Sequence, residues 1–228
     1  MGTRLFTFTT IACLVLLLAL SQITFGFRIY TTQDGTACYR YTWGAPDPSH
    51  YEYYYYWSNG TQLSTGWYCG DPPWDWYFAV VQMPITSLHG ASLAPGSVKL
   101  WFYSYGSTMT HRLQGMNYDP GGAVSTDNIK WMYSHTNCTT IATFPIGITG
   151  WIGVDVTSQV QARLDAGNNW AGFYLAGDGL LIPFQSRIDK IGAQEGGYAA
   201  YLEVVPEPSS LLALIGGVAG LGFFIRRR

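Results

Sequence analysis

Tyr51-Glu52-Tyr53-Tyr54-Tyr55-Tyr56-Trp57 reads as a β-strand. Aromatic side chains suit a pleated, half-buried surface and pack well across strands. A period of two puts Tyr51, Tyr53, Tyr55 and Trp57 on one face and Glu52, Tyr54 and Tyr56 on the other. Similar short runs recur on both sides of it: Phe27–Thr31, Cys38–Trp43, Trp76–Met83, Ser97–Tyr105, Asn128–Tyr133, Trp151–Val156, Trp170–Ala176, Phe184–Ile188 and Ala199–Val204. Turn residues punctuate them, among them Asp34-Gly35, Asn59-Gly60, Pro95-Gly96, Gly121-Gly122 and Gly196-Gly197. Many short strands with turn signals between them argue for an all-β, jelly-roll-like β-sandwich. Only Ser158–Ala166 has a helical pattern, with Val160 and Leu164 at i, i+4, Thr157 available as N-cap and Gly167 to close it.

Both ends of the chain differ from this pattern. Residues 1–26 carry Arg4, then the apolar run Ile11–Leu20, then a short polar stretch ending at Gly26. Those are the parts of a secretory signal peptide, and ten apolar residues are about half of the ~20 a spanning helix needs. Cleavage is expected after Gly26, with Ser21 the alternative. At the other end Pro206-Glu207-Pro208 precedes the fifteen apolar residues Leu211–Ile225, and Arg226-Arg227-Arg228 follow. The prolines keep the segment before the helix extended. Fifteen residues give about 22 Å of helix, short of a ~30 Å hydrocarbon core. The arginines hold that end on the cytoplasmic side. Gly216 and Gly220 form a GxxxG pair suited to close helix contact. The expected chain is therefore a signal helix (1–26), a sandwich (27–204) and a hydrophobic anchor helix (205–228).

The mature segment 27–204 holds all nine Trp and all seventeen Tyr. Its eight basic and thirteen acidic residues give a net charge of −5, and nothing in it offers nucleic acid a basic face. Its cysteines are Cys38, Cys69 and Cys138. Export favours one disulfide, and Cys38–Cys69 is the expected pair, with Cys138 left over as a thiol.

The arrangement of Pro206, Glu207, Pro208, the apolar run and Arg226, Arg227 and Arg228 resembles the PEP-CTERM sorting signal. That resemblance implies an exosortase-type processing enzyme as partner, transient anchoring in the inner membrane, and delivery to the outer envelope, cell surface or extracellular matrix. Tails of this kind also carry the label ice-binding protein C-terminal domain. The label describes the tail, and ice binding would need a flat, regular threonine array that the scattered threonines do not supply. A second resemblance covers Trp76–Val204. Trp151-Ile152-Gly153-Val154-Asp155-Val156-Thr157, then Asn168-Asn169-Trp170-Ala171-Gly172, and Phe184-Gln185-Ser186-Arg187 are similar to stretches of the DNRLRE domain family. It implies a jelly-roll-like sandwich from bacterial surface proteins, some of whose relatives act as carbohydrate-binding modules. Ala79-Val80-Val81-Gln82 departs from that family's apolar-acidic first strand pair, and Phe27–Asp75 has no counterpart in it.

No nucleophile elbow, HExxH, CxxC pair, phosphate loop or EF-hand loop occurs in the sequence. His135 and Cys138, three apart, fall short of the four ligands of a structural zinc site. His50, His89 and His111 are scattered and read as solvated or hydrogen-bonded. Asp71 and Asp75 flank a proline loop that gives no means of holding a glycosidase pair at its ~5 to 9.5 Å spacing. Asp155 reads as turn and cap chemistry for the helix after it. A structural calcium would have to draw its oxygen ligands from distant strands, and no other cofactor is implied. What remains is the aromatic surface: Tyr51, Tyr53, Tyr54, Tyr55, Tyr56 and Trp57, extended by Trp74 and Trp76, suit stacking on sugar rings. The same residues also suit plain cross-strand packing. The leading expectation is a non-catalytic surface protein that binds polysaccharide. The alternatives are a purely structural or adhesive protein, and a polysaccharide-degrading enzyme with dispersed residues.

Overall fold

Alternation of apolar and polar side chains produces twelve strands among the residues that the computed structural model describes: 27–43, 50–57, 61–69, 74–122, 124–178 and 186–205. In chain order they are β1 (Phe27–Tyr30), β2 (Gln33–Trp43), β3 (His50–Trp57), β4 (Gln62–Cys69), β5 (Trp74–Pro84) and β6 (Val98–Ser104). The others are β7 (Thr110–Met116), β8 (Cys138–Phe144), β9 (Gly150–Asp155), β10 (Trp170–Asp178), β11 (Ser186–Gly192) and β12 (Tyr201–Val204). Two helices, α1 (Thr126–Ser134) and α2 (Thr157–Asp165), complete the list. The signal segment 1–26 and the anchor from 206 onward lie outside the described residues.

All pairings are antiparallel. One layer runs β3-β2-β5-β10-β7-β8. The other is centred on β6, with β9 on one side, β12 and then β1 on the other, and β11 and β4 continuing from its end. Strand β4 joins the layers, pairing with β5 over Gly66–Cys69 and with β11 over Gln62–Tyr68. Between the layers lies one core. It takes Ala79, Val81, Met83, Phe173 and Leu175 from the first layer and Val98, Leu100, Phe102, Ile191 and Leu202 from the second. The all-β sandwich expected from the sequence is the fold found.

The first layer is buried on its outer face too. There α1 lays Ile129 and Met132 against Ala37, Tyr39, Phe78, Val80 and Tyr174. This corrects the strand expected at Asn128–Tyr133. Ser125 and Asn128 form a reciprocal capping box, and Ile129 and Met132, three apart, share the buried helix face. Those two features outweigh the aromatic content. The expected second helix is present, but Thr157 is its first helical residue instead of its cap. Asp155 does perform the turn chemistry, accepting from the Thr157 N–H at 2.9 Å and its hydroxyl at 2.6 Å. Gly167, at φ +71°, ends the helix. Strands β4, β7 and β8 were not expected, and Asp34-Gly35 lies inside β2 instead of turning. Each of these segments mixes polar residues into a strand whose partners, not whose composition, hold it extended.

Candidate functional site

The aromatic run forms β3 as expected, and its register with β2 fixes its faces. Tyr54 stands opposite Tyr39, and Tyr56 opposite Ala37. Both are half-buried and pack on the cluster beneath α1. Tyr39 sits at the centre of this group, 5.5 Å from Tyr54, 5.4 Å from Trp76 and stacked 4.0 Å from Tyr133. Lys130 of α1 lies 5.1 Å over the Tyr54 ring, and Trp74 lies 6.0 Å from Tyr41. Burial pushes the Tyr56 hydroxyl up to about 12. On this face the tyrosines are largely packing against a helix, the second of the two roles the sequence left open. Tyr53 and Tyr55 stand opposite Arg40 and Cys38 in the backbone register. The side chains of Tyr51, Tyr53, Tyr55 and Trp57 lie outside the described residues.

A different aromatic surface is partly exposed to solvent. The outward residues of β1, β12, β6 and β9 line up across the strands in two rows. One row is Tyr30, Tyr201, Trp101 and Gly153. The other is Arg28, Glu203, Lys99 and Asp155. Trp151, opposite Tyr103, extends the aromatic row, and Tyr198 joins it from the loop before β12. Ring centroids are close throughout: Tyr30–Tyr201 at 5.6 Å, Trp101–Tyr201 at 6.3 Å and nearly parallel, Trp151–Tyr201 at 5.5 Å, Tyr103–Tyr198 at 4.3 Å. Tyr30 is 50 % exposed and Trp151 43 %, whereas Tyr201, packed among them, is buried at 8 %. The Trp101 indole N–H donates to Glu203 at 2.9 Å, and the Arg28 guanidinium sits 4.5 Å over the Tyr201 ring. Gly153 is a condition of this arrangement, because a Cβ there would come within 2.8 Å of the Trp101 ring. Sequence reading missed this face. The signal was the alternation of Lys99, Trp101, Tyr103 and Tyr105 with the inward Val98, Leu100, Phe102 and Ser104.

The candidate acid–base and metal residues are otherwise engaged. Asp75, buried, takes two bonds from Arg40 at 2.7 Å and one from the Tyr77 hydroxyl at 2.9 Å. Asp71 lies outside the described residues, as do the side chains of His50 and Cys69. His89 reaches the Asn168 carbonyl at 3.0 Å. His135 is held by Arg112 at 3.1 Å and Gln114 at 3.0 Å. The Cys138 thiol donates to Gln114 at 3.0 Å and accepts from Tyr174 at 3.2 Å. Among the described residues no three His, Cys, Asp or Glu side chains gather where they would hold a metal ion.

His111 takes the second of its two expected settings, a hydrogen bond. It is buried in the core with Nε2 at 2.6 Å from Asp189, whose carboxylate also accepts the Thr108 N–H and hydroxyl. Burial holds the imidazole below its ordinary range against the pull of Asp189. Its Nδ1 has no hydrogen-bond partner, and the residue helps to line a cavity of about 10 Å³ with Phe102, Phe144, Ile152 and Leu175.

The expected disulfide is also corrected. Cys38 is a free, buried thiol. It stands opposite Tyr77 on one side of β5, while Cys69 stands opposite Trp74 on the other side. Two strand spacings and three residues of offset separate their backbones by roughly 14 Å. A disulfide spans Cα atoms no more than about 7 Å apart.

Among the described residues the fold is an all-β sandwich with one layer covered by α1 and one whose outer face carries the aromatic row. The stretch that follows the sandwich places it more narrowly: residues 204–228 match the PEP-CTERM protein-sorting motif. The motif implies export and cell-surface sorting by an exosortase-type enzyme, as the tail led us to expect. It begins at Val204, the last residue of β12, and the next residue, Val205, still donates its N–H to Ser97 at 2.7 Å. No curated protein matches the chain.

Proposed function

We propose that this chain is a non-catalytic protein of the cell surface or extracellular matrix that binds polysaccharide through an aromatic surface. Its C-terminal helix anchors it transiently in the inner membrane before exosortase-type processing. The observation that carries the binding half is the partly exposed aromatic face of β1, β12, β6 and β9 among the described residues. Contiguous exposed aromatic surface on a soluble domain commonly marks an interaction site, and tyrosine and tryptophan offer flat apolar faces with polar edges. The likeness of Trp76–Val204 to DNRLRE domains belongs to the same reading. The structural or adhesive alternative draws its support from β3, whose Tyr54 and Tyr56 serve packing. Retention of the extracted protein on a glycan array decides between the two, and retention of none would leave the structural reading. Intact-mass measurement of envelope protein tests the anchoring half. Mature protein lacks Arg226–Arg228, and a full-length C-terminus in a strain possessing exosortase would refute processing.

A further inference from the structure

The face of the second layer presents rings and charges in a specific order, and that order narrows the ligand class. From β1 to β9 there are three inter-strand spacings, about 14 Å, with Tyr30, Tyr201, Trp101 and Trp151 along the way. The neighbouring row alternates in sign: Arg28, Glu203, Lys99, Asp155. The row therefore sums to zero charge, within a domain that is −5 overall. A polyanion would meet two carboxylates in the row and a repulsive field around it. A bilayer would have to bury four charged side chains beside the rings, which is unfavourable. A hydroxyl-rich neutral chain meets neither obstacle. Its apolar ring faces lie on the aromatic row, and its hydroxyls donate to Glu203 and Asp155 while accepting from Arg28 and Lys99. The rings are also held in advance. Trp101 is tied to Glu203 and lies over the bare backbone of Gly153, so little side-chain freedom remains to be lost on binding.

We infer that the site is the outer face of β1, β12, β6 and β9, that it takes a neutral polysaccharide, and that the chain lies across the strands along Tyr30, Trp101 and Trp151, with the buried Tyr201 ring supporting them from beneath. This rests on the polysaccharide-binding reading above and adds to it the location and the ligand class.

The test is affinity electrophoresis of the exported protein through gels containing a neutral glucan, a neutral mannan or alginate, with flotation on phosphatidylglycerol vesicles alongside. The wild type is retarded by a neutral polymer and passes alginate freely. Trp151→Ala and Tyr30→Ala, both at exposed positions, weaken retardation about tenfold or more with melting unchanged. Gly153→Val does the same by displacing the Trp101 ring. Tyr133→Ala, on the α1 side, leaves retardation intact. Retardation by alginate alone overturns the ligand class. Retardation that survives Trp151→Ala and Tyr30→Ala but is lost in Tyr133→Ala overturns the location while leaving polysaccharide binding standing. Flotation on vesicles without retardation by any glycan assigns the face to a membrane and overturns the proposal. No retention by any glycan or vesicle removes the polysaccharide reading itself.

Discussion

Asp34 carries a cost that a pH titration of stability can isolate. It is 3 % exposed in the interior of β2, and one carboxylate oxygen accepts the Gln194 N–H at 2.9 Å. Burial pushes its carboxyl from 3.8 up to about 6, the Gln194 bond opposing the rise and Glu195 adding to it. Between those two values the folded protein binds more protons than the unfolded chain. Stability is therefore fully present below about 3.8 and is lost as pH rises through about 6. The ionised carboxylate costs the fold about 3 kcal/mol by pH 7.

Asp34→Asn removes the charge and keeps an oxygen for the Gln194 N–H. The strength of that bond to the carboxylate is already contained in the value of about 6. The variant should nearly match the wild type at pH 4 and exceed it by about 3 kcal/mol at pH 7. Urea unfolding followed by tryptophan fluorescence at pH 4, 5.5 and 7 measures the gap, and the wild type measured beside the variant cancels every other titrating group. A gap that stays flat or shrinks as pH rises would refute the reasoning. The carboxylate has a structural return for its cost. It anchors the 3-10 turn Gln194–Gly196, and Tyr198 leaves that turn through Gly197, at φ +79°, to join the aromatic face. Melting of Tyr198 away from Tyr103 in Asp34→Ala would show as a loss of near-ultraviolet circular dichroism.

Two further outcomes are expected. Asp189→Ala leaves the Thr108 N–H, the Thr108 hydroxyl and the His111 Nε2–H without their acceptor in the core, and should lower stability by about 3 kcal/mol or more in the same urea assay. Cys38, its thiol pushed up to about 12 by burial, should resist iodoacetamide in the native protein at pH 8 and react once urea unfolds it. Non-reducing peptide mapping should find it unlinked to Cys69.

Much of the fold was legible because a sandwich strand is written in a window of six to ten residues. Val98-Lys99-Leu100-Trp101-Phe102-Tyr103 alternates strictly, and so does the burial of its side chains. The same window failed where long-range partners decide the structure. Thr110–Met116 holds His111, Arg112 and Gln114, a polar composition that argues against a strand, yet it lies between β10 and β8. Its polar residues find partners in Asp189, His135 and Cys138, distant in sequence, although His111 Nδ1 stays without one. Asp34 looked like a turn residue because Asp-Gly is a turn signal. Its actual partner is Gln194, 160 residues away. Asn128–Tyr133 failed for the opposite reason: its helix start was written locally, in Ser125 and Asn128, and aromatic content drew the reading toward a strand.

The site illustrates the same distinction more sharply. Aromatic density along one stretch pointed to Tyr51–Trp57, but density along a strand distributes rings between two faces, and the face of Tyr54 and Tyr56 is under α1. An open platform instead needs one ring from each of several neighbouring strands. Tyr30, Tyr201, Trp101 and Trp151 come from four strands spread over most of the domain, so no window contains them. Their charged neighbours are equally dispersed, and the alternation of sign exists only in the assembled register. Gly153 makes the dependence concrete: beside Trp151 in sequence it looks like a flexible break in a strand, whereas in the sheet it lies directly beneath the Trp101 ring. Any side chain at that position would lift the indole out of the row and away from Glu203. The glycine, a residue without chemistry of its own, therefore determines whether the face is flat.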